Sequence, residues 1–299
     1  VRHILSSYYA PRGRKRLFST GIMISQMYLT PYDKLIGIMG DPGCGKSALV
    51  KGMFPGLELT NDDDGVNIRP LPLLDVEENT GFFAPHTYHV DIRFECAFTQ
   101  MHILADAIMS AIKKGKRVVV EHFELIYPML PINADLLIGV GSGVINDICR
   151  VVSTTAKIPM LIVGTAPSMD GYASASSSMV VSHIKQSLNL KAPEGIILDT
   201  DIMAEAPMKL LSAGLGDVLA KYTALCEWKL AKLLRGEPYC EEVAALVKNG
   251  LQETPQLRSE KGYCPFYSRC RKAEDGCRVS MTHHSMGTRE WWCADAASH

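Results

Sequence analysis

The sequence predicts an α/β fold: a mostly parallel sheet with flanking helices in the N-terminal and central parts, then an α-helical segment and a Cys-rich tail. Three short apolar runs, over residues 35–39, 118–120 and 136–140, predict buried central strands. Two of these runs lead at once into a glycine-rich turn and a predicted helix. Alternating strand and helix patterns of this kind favour parallel strand–helix–strand units.

Composition and charge describe an ordinary globular protein. The chain has 299 residues, 47% hydrophobic and 21% charged, which is enough for about two domains with buried cores. A net charge of −1 argues against a dedicated nucleic-acid-binding protein. No apolar run approaches the roughly 20 residues that span a bilayer, and the N-terminus lacks the apolar core of a secretory signal. We therefore expect a cytoplasmic protein without a membrane span.

The N-terminal segment, residues 1–33, carries a basic stretch, Arg12–Arg16, beside aromatic residues. We interpret this stretch as a solvated charged turn, with an RNA or phosphate contact as the less favoured alternative. The first predicted strand then runs into Gly40-Asp41-Pro42-Gly43-Cys44-Gly45-Lys46-Ser47, a complete G-x-x-x-x-G-K-[ST] pattern. A predicted helix from Ser47 to about Met53 completes the strand–turn–helix unit.

This pattern predicts an anion-binding site formed by backbone N–H groups. Strand, turn and helix together aim several N–H groups and a helix N-terminus at one point. The residues predicted to bind nucleotide phosphate are Gly40, Gly43, Gly45, Lys46 and Ser47. Lys46 would act catalytically on the β- and γ-phosphates, and the Ser47 hydroxyl would ligate Mg²⁺. The alternative is a turn that binds nothing.

Further strand and helix patterns follow the phosphate loop. Alternation over 87–94 predicts a strand with His89 on its surface face, and apolar spacing over 98–114 predicts a helix that stops at Gly115. The strand over 117–120 ends at Glu121, a candidate second catalytic residue, because ligands lie beyond the carboxyl ends of parallel strands. An ordinary strand-terminal glutamate is the alternative. Residues 34–131 thus resemble a phosphate-loop nucleotide-binding domain of the NTPase or kinase kind, which implies ATP or GTP with Mg²⁺.

The central part carries a second strand, glycine turn and helix start, Leu136–Asp147, without the lysine of the first. Three more motifs follow in order: Gly164-Thr165-Ala166-Pro167-Ser168-Met169-Asp170-Gly171-Tyr172-Ala173-Ser174, then Glu194–Asp201, then Ala213–Tyr222. Together these motifs closely resemble the glycerol-1-phosphate dehydrogenases of the iron-containing alcohol dehydrogenase superfamily. The resemblance covers about residues 136–252.

The resemblance implies a cofactor site and a metal site. Gly141, Ser142 and Gly143 would contact the pyrophosphate of NAD(P), with Asp147 nearby. Thr165 and Ser168 would line the cofactor. Asp170 would be a carboxylate ligand of a catalytic Zn²⁺ that polarises the alcohol oxygen. From the residues alone, Asp170 could equally be a turn or N-cap residue.

The family also supplies histidine metal ligands downstream, and His283 and His284 are the loosely comparable residues here. Apolar spacing over 207–235 predicts core helices. The tail, about 253–293, resembles the C-terminal region of oligopeptide-importer ATPases. Its four cysteines could bind Zn²⁺ or an iron–sulfur cluster together with the two histidines, and a loosely ordered tail is the alternative. These cysteines are Cys264, Cys270, Cys277 and Cys293.

Four segments and three functional hypotheses follow. The segments are a basic N-terminal segment (1–33), a phosphate-loop domain (34–131), a dehydrogenase-like segment (132–252) and a Cys-rich tail (253–299). The main hypothesis is a Mg-dependent ATP- or GTP-binding protein of the NTPase or kinase type, fused to a partial dehydrogenase. The alternative is an NAD(P)-dependent, zinc-assisted glycerol-1-phosphate dehydrogenase acting on glycerol 1-phosphate or dihydroxyacetone phosphate. The third is a nonfunctional mosaic.

Overall fold

The computed structural model describes residues 14–57, 59, 87–256, 282–286 and 289–293. The chain forms two compact units, Val1–Leu211 and Ser212–His299. The strands of the first unit are β1 Leu35–Met39, β2 Thr87–Asp91, β3 Arg117–Glu121, β4 Leu136–Gly141, β5 Met160–Gly164, β6 Ser176–Val181, β7 Ile184–Asn189 and β8 Gly195–Leu198. Its helices are α1 Arg14–Tyr28, α2 Lys46–Met53, α3 Ile92–Glu95, α4 Met101–Lys113, α5 Phe123–Ile126, α6 Gly143–Ala156 and α7 Thr200–Ala204.

Six of these strands form one parallel sheet in the order β2-β3-β1-β4-β5-β8. Strands β6 and β7 form a separate antiparallel hairpin. The hairpin turns at Ser182 and His183, which both have positive φ, as a two-residue turn between twisted strands requires. The predicted fold class, a mostly parallel sheet with flanking helices, is confirmed.

Two apolar clusters bury the sheet on both faces. Leu35 and Met39 of β1 belong to the cluster that includes residues of α4, α5 and α6. Ile36 and Ile38 face the other way and join residues of α1 and α2. This alternation follows from the pleat of a strand, whose successive side chains point to opposite faces. The apolar runs are therefore continuous because both faces of the sheet are covered.

The predicted elements of the first unit are found with small shifts. The helix predicted over 98–114 is α4, and Gly115 follows it with φ +79°. The strand predicted over 87–94 ends early, because the Asp91 side chain accepts the Phe94 N–H at 3.2 Å and caps α3. The prediction that His89 lies on the surface is wrong: its side chain is buried against Glu121.

Within the basic stretch Arg12–Arg16, only the side chain of Arg16 is described. It does not form the solvated charged turn that was predicted. Arg16 lies within α1 and is only 8% exposed. Its guanidinium contacts Asp199 at 2.8 Å and Asp201 at 3.3 Å, at the start of α7. The charge is therefore paired inside the fold rather than solvated.

The second unit begins within a long helix. Helix α8, Met208–Arg235, is followed by α9, Glu241–Gln256, and by the antiparallel pair β9 Thr282–Met286 and β10 Arg289–Cys293. The Trp228 Nε1–H donates to Pro238 O at 2.8 Å. The range 207–235 was predicted to form core helices, but α8 has exposed apolar side chains, such as Tyr222 at 42%. No helix in the described ranges is long and apolar enough to cross a membrane. The predicted segment boundaries stay predictions, although β1 and β4 pair across residue 131.

Candidate functional site

The candidate site lies where β4 runs into α6. Gly141 ends the strand, Gly143 begins the helix, and Ser142 lies between them. A Cβ added to Gly141 would lie 2.7 Å from Cγ1 of Ile145, so glycine is needed for strand and helix to pack this closely. A Cβ at Gly143 would meet only the Met169 side chain, at 3.9 Å, among the described residues. The space in front of this backbone is therefore open.

The start of α6 is suited to an anion. The helix has 14 residues, carries no acidic residue in its first turn and receives no capping bond from the Ser142 side chain. The first amides of a helix point outward, and the helix dipole favours negative charge at this end. This geometry fits a pyrophosphate of the kind that the resemblance implies.

The loop after β5 lies against this turn. The Thr165 N–H donates to Gly141 O at 3.1 Å, and Met169 lies beside Gly143. Ser168, in the same loop, is half-buried. The structure thus brings Thr165 to the glycine turn, while the cofactor-lining roles predicted for Thr165 and Ser168 stay predictions.

Buried polar residues that the sequence analysis missed support this loop. Tyr172 donates its hydroxyl to Ala166 O at 2.7 Å, and burial raises the pKa of Tyr172 to about 12. Asn146 and Arg150, both buried on α6, reach the carbonyl of Gly171. The available signal was their spacing, because residues four apart share one face of a helix, and this face also carries the buried Cys149.

Asp147 lies in the second turn of α6 and pairs with Arg150. Its Oδ1 accepts from Arg150 NH1 at 3.1 Å. Burial lowers the pKa of the Arg150 guanidinium, and the Asp147 carboxylate opposes that shift. Asp147 therefore stands near the glycine turn, and its predicted place beside the pyrophosphate stays a prediction.

Asp170 is exposed and precedes the short 3-10 helix Gly171–Ala173. Among the described residues there is no group of three or more His, Cys, Asp or Glu side chains that could hold a metal ion. A catalytic zinc site normally has three protein ligands. The described side chains do not complete a zinc centre around Asp170, and its predicted role as a metal ligand stays a prediction.

The other predicted metal ligands lie in the second unit or outside the described ranges. His283 and His284 are in β9, and Cys293 is in β10. The remaining cysteines, Cys264, Cys270 and Cys277, lie outside the described residues. Their predicted metal-binding roles stay predictions.

The predicted phosphate loop, Gly40–Ser47, follows β1, the strand beside β4. It forms a glycine turn before α2, with positive φ at Gly43 and Gly45. Lys46 is 5% exposed, and its ammonium donates to Gly40 O at 3.1 Å and to Asp41 O at 3.0 Å. The lysine is therefore held by the carbonyls of its own loop.

A cavity of about 390 Å³ opens between this loop and the ends of β2 and β3. Glu121 lines it, with Oε1 3.0 Å from His89 Nε2 and Oε2 3.9 Å from Lys46 Nζ. Glu121 thus lies near the loop but is enclosed by cationic and imidazole partners. The lining residues are Pro42, Gly43, Gly45, Lys46, Ser47, Asp91, Arg93, Phe94, Glu121 and His122.

The central segment matches a known enzyme family. Residues 95–207 match the family described as iron-containing alcohol dehydrogenase. This range contains β3, the turn between β4 and α6, and the loop with Asp170. The resemblance to this family is confirmed for this part of the chain.

Proteins with similar sequences include glycerol-1-phosphate dehydrogenases (NAD(P)+). The chain is 39% identical over 124 residues to the enzyme of Bacillus licheniformis, covering 42% of this chain and 31% of the relative. It is 45% identical over 117 residues to the enzyme of Methanothrix thermoacetophila, covering 39% of this chain and 33% of the relative. The chain thus spans about a third of the length of these relatives. A probable glycerol dehydrogenase from Sinorhizobium meliloti aligns with 18% identity and a TM-score of 0.44, over 81% of this chain and 54% of its own.

The main functional prediction, a Mg-dependent ATP- or GTP-binding protein, is wrong, because the relatives support the dehydrogenase alternative. The matched range starts at residue 95, so β3 and Glu121 lie within the range that matches the dehydrogenase family. Strand, glycine turn and helix form anion-binding geometry in several α/β families, so the motif did not identify the family. The relatives do not support ATP or GTP with Mg²⁺ as cofactors. They also do not support the resemblance of the tail to importer ATPases. The residue roles given to Gly40–Ser47 stay untested predictions.

Proposed function

We propose that this chain carries the cofactor-binding part of an NAD(P)-dependent glycerol-1-phosphate dehydrogenase, which interconverts glycerol 1-phosphate and dihydroxyacetone phosphate. The observation that carries the proposal is the similarity to relatives of this name, at 34–45% identity over 112–161 residues. The open anion-binding turn at Gly143 lies within the range that matches the family.

The strand order supports this position for the cofactor. After β1 the chain continues to β2 and β3, which lie on one side of β1 in the sheet. After β4 it continues to β5 and β8, which lie on the opposite side, so the direction of the chain across the sheet reverses between β1 and β4. Ligands of open parallel sheets bind in the crevice at such a reversal. The glycine turn at Gly141 and Gly143 lies at the edge of this crevice.

In this proposal the chain binds and orients the cofactor. The amides at Ser142 and Gly143 hold the pyrophosphate, and the loop from Thr165 to Asp170 borders the cofactor on the side of β5. The nicotinamide, when bound, accepts a hydride from the alcohol carbon. Asp170 is a single carboxylate, and the described residues do not complete a metal site around it. No step of the reaction is therefore assigned to a metal.

The first test is cofactor binding to the whole chain, measured by the fluorescence of bound NADH and NADPH. Gly143 does not have a positive φ, and its added Cβ would meet only Met169 at 3.9 Å, so Gly143→Ala is tolerated by the fold. The new methyl group occupies the approach of the pyrophosphate, and we expect Kd for NADH to rise at least about tenfold. Gly216→Ala on α8, where a Cβ would meet nothing within 4 Å among the described residues, is the matched control.

The second test is oxidation of NADH in the presence of dihydroxyacetone phosphate, with and without added Zn²⁺. Because Asp170 is the candidate carboxylate ligand of Zn²⁺, we expect any rate that depends on dihydroxyacetone phosphate to be lost in Asp170→Ala. A chain that binds neither NADH nor NADPH would contradict the proposal.

A further inference from the structure

The Arg150 side chain joins the cofactor helix to the loop that carries Asp170. It is 1% exposed, and its Nε has no hydrogen-bond partner among the described residues. The hydrogen bonds that offset the cost of burying its charge are therefore donated by the two terminal nitrogens. Its two terminal nitrogens reach the segment that follows Asp170. The acceptors there are Gly171 O at 2.9 Å, Tyr172 O at 3.3 Å, Ser176 O at 2.6 Å and Ser177 Oγ at 2.9 Å.

Asn146 lies one helical turn before Arg150 and shares one of these acceptors. Its Nδ2 donates to Gly171 O at 3.4 Å, and its side chain is fully buried. One carbonyl of the loop is therefore held by two side chains from the same face of α6.

The two ends of the loop are tied to the cofactor turn in different ways. The near end is tied by backbone, through the Thr165 N–H and Gly141 O at 3.1 Å. The far end is tied by side chains, through Arg150 and Asn146 to Gly171. Because α6 also begins at Gly143, the same helix sets the position of the turn and of the far end of the loop.

We propose that Arg150 is a positioning residue that holds the loop of residues 165–171, and with it Asp170, at a fixed place beside the cofactor turn. This role rests on the proposed binding of NAD(P) at Gly143. Lysine cannot replace it, because a single ammonium does not reach several carbonyls in the planar fork geometry of a guanidinium. Without the hydrogen bonds from Arg150, the loop would have to become ordered when NAD(P) binds, and this ordering would weaken the affinity for the cofactor.

The test compares Arg150→Met with Val152→Ala, a variant of the same helix. Val152 is buried in the core cluster and its side chain has no hydrogen-bonding group, so its truncation destabilises the fold without removing a hydrogen bond to the loop. Both variants are measured as whole chains at a temperature where circular dichroism shows them folded. We expect Kd for NADH to rise at least about tenfold in Arg150→Met and to stay within about twofold of the parent in Val152→Ala.

Hydrogen exchange gives a measurement that does not depend on the cofactor. The Ser174 N–H donates to Gly171 O at 3.2 Å and reports on the far end of the loop. We expect its exchange to accelerate at least about tenfold in Arg150→Met relative to Val152→Ala. If the parent chain fails to bind NADH, the proposed function fails, and the Ser174 exchange alone decides the role of Arg150.

Two results would overturn the positioning role. One is Ser174 exchange in Arg150→Met no faster than in Val152→Ala. The other, in a parent that binds NADH, is an unchanged Kd in Arg150→Met. If Arg150→Met does not fold, Arg150→Lys is measured in the same way. Parent-like exchange at Ser174 in Arg150→Lys would then reject the need for the guanidinium fork.

Discussion

At the scale of single residues, the buried hydroxyl of Tyr172 makes the stability of the fold depend on pH. Its hydroxyl donates to Ala166 O at 2.7 Å, and its side chain is 5% exposed. Burial raises the pKa of Tyr172 to about 12, above the value of about 10 in an unfolded chain. The folded state therefore holds this proton more tightly than the unfolded state does. The resulting stability is complete below pH 10 and is lost as the pH rises towards 12.

We therefore predict a pH-dependent difference in stability between the parent chain and Tyr172→Phe. The advantage of the parent should be constant from about pH 7 to 9 and should shrink between about pH 10 and 12, measured as the free energy of unfolding in urea. Tyr32→Phe is the control, because that side chain is 85% exposed. An advantage of the parent over Tyr172→Phe that stays constant up to pH 12 would contradict this account.

At the scale of elements, one ion pair joins the first and last helices that cover one face of the sheet. Asp199 caps α7 by accepting the Asp201 N–H at 2.9 Å and the Ile202 N–H at 3.4 Å. The same carboxylate contacts the Arg16 guanidinium of α1 at 2.8 Å. Removing the Asp199 carboxylate would therefore remove the cap of α7. It would also leave the buried Arg16 guanidinium with the more distant Asp201 carboxylate as an ion-pair partner.

We predict that Asp199→Ala destabilises the chain by about 3 kcal/mol, measured by urea unfolding. About 1 kcal/mol is the usual loss of an N-cap, and the rest reflects the buried charge of Arg16, which still reaches Asp201 at 3.3 Å. Asp201→Ala is the matched control, because this carboxylate is 46% exposed and its loss should cost at most about 1 kcal/mol. Equal effects of the two substitutions would contradict the special role of Asp199.

The sequence predicted these elements well where the signal is local. The strand over 35–39, the helix stop at Gly115 and the turn at Gly141 each depend on neighbouring residues alone. Buried charges were not predicted, because their partners are distant: His89 pairs with Glu121 across 32 positions, and Arg16 pairs with Asp199 across 183. Without its partner, an isolated His or Arg in a sequence is most simply interpreted as a surface residue.

At the scale of the whole molecule, two glycine turns meet at the reversal of the strand order. A Cβ at Gly40 would lie 2.5 Å from Val140 O, so the turn after β1 begins in close contact with the end of β4. Both turns satisfy the same geometric rule for anion binding, and the wider match to the dehydrogenase family decides which chemistry is proposed. A motif of eight residues therefore defines a local geometry, and the longer similarity defines the class.

The parts of the candidate cofactor site all lie in the first unit, Val1–Leu211. This unit contains the six-stranded sheet, both apolar clusters and the bonds from Arg150 to the loop. We predict that a chain ending at Leu211 unfolds cooperatively and binds NADH with a Kd within about twofold of the full chain, because the glycine turn and the bonds that support it all belong to this unit. Urea unfolding and NADH fluorescence measure the two properties, and Gly143→Ala in the shortened chain controls for unspecific binding. A shortened chain that folds cooperatively but binds NADH at least about tenfold more weakly would show that the second unit contributes to the site.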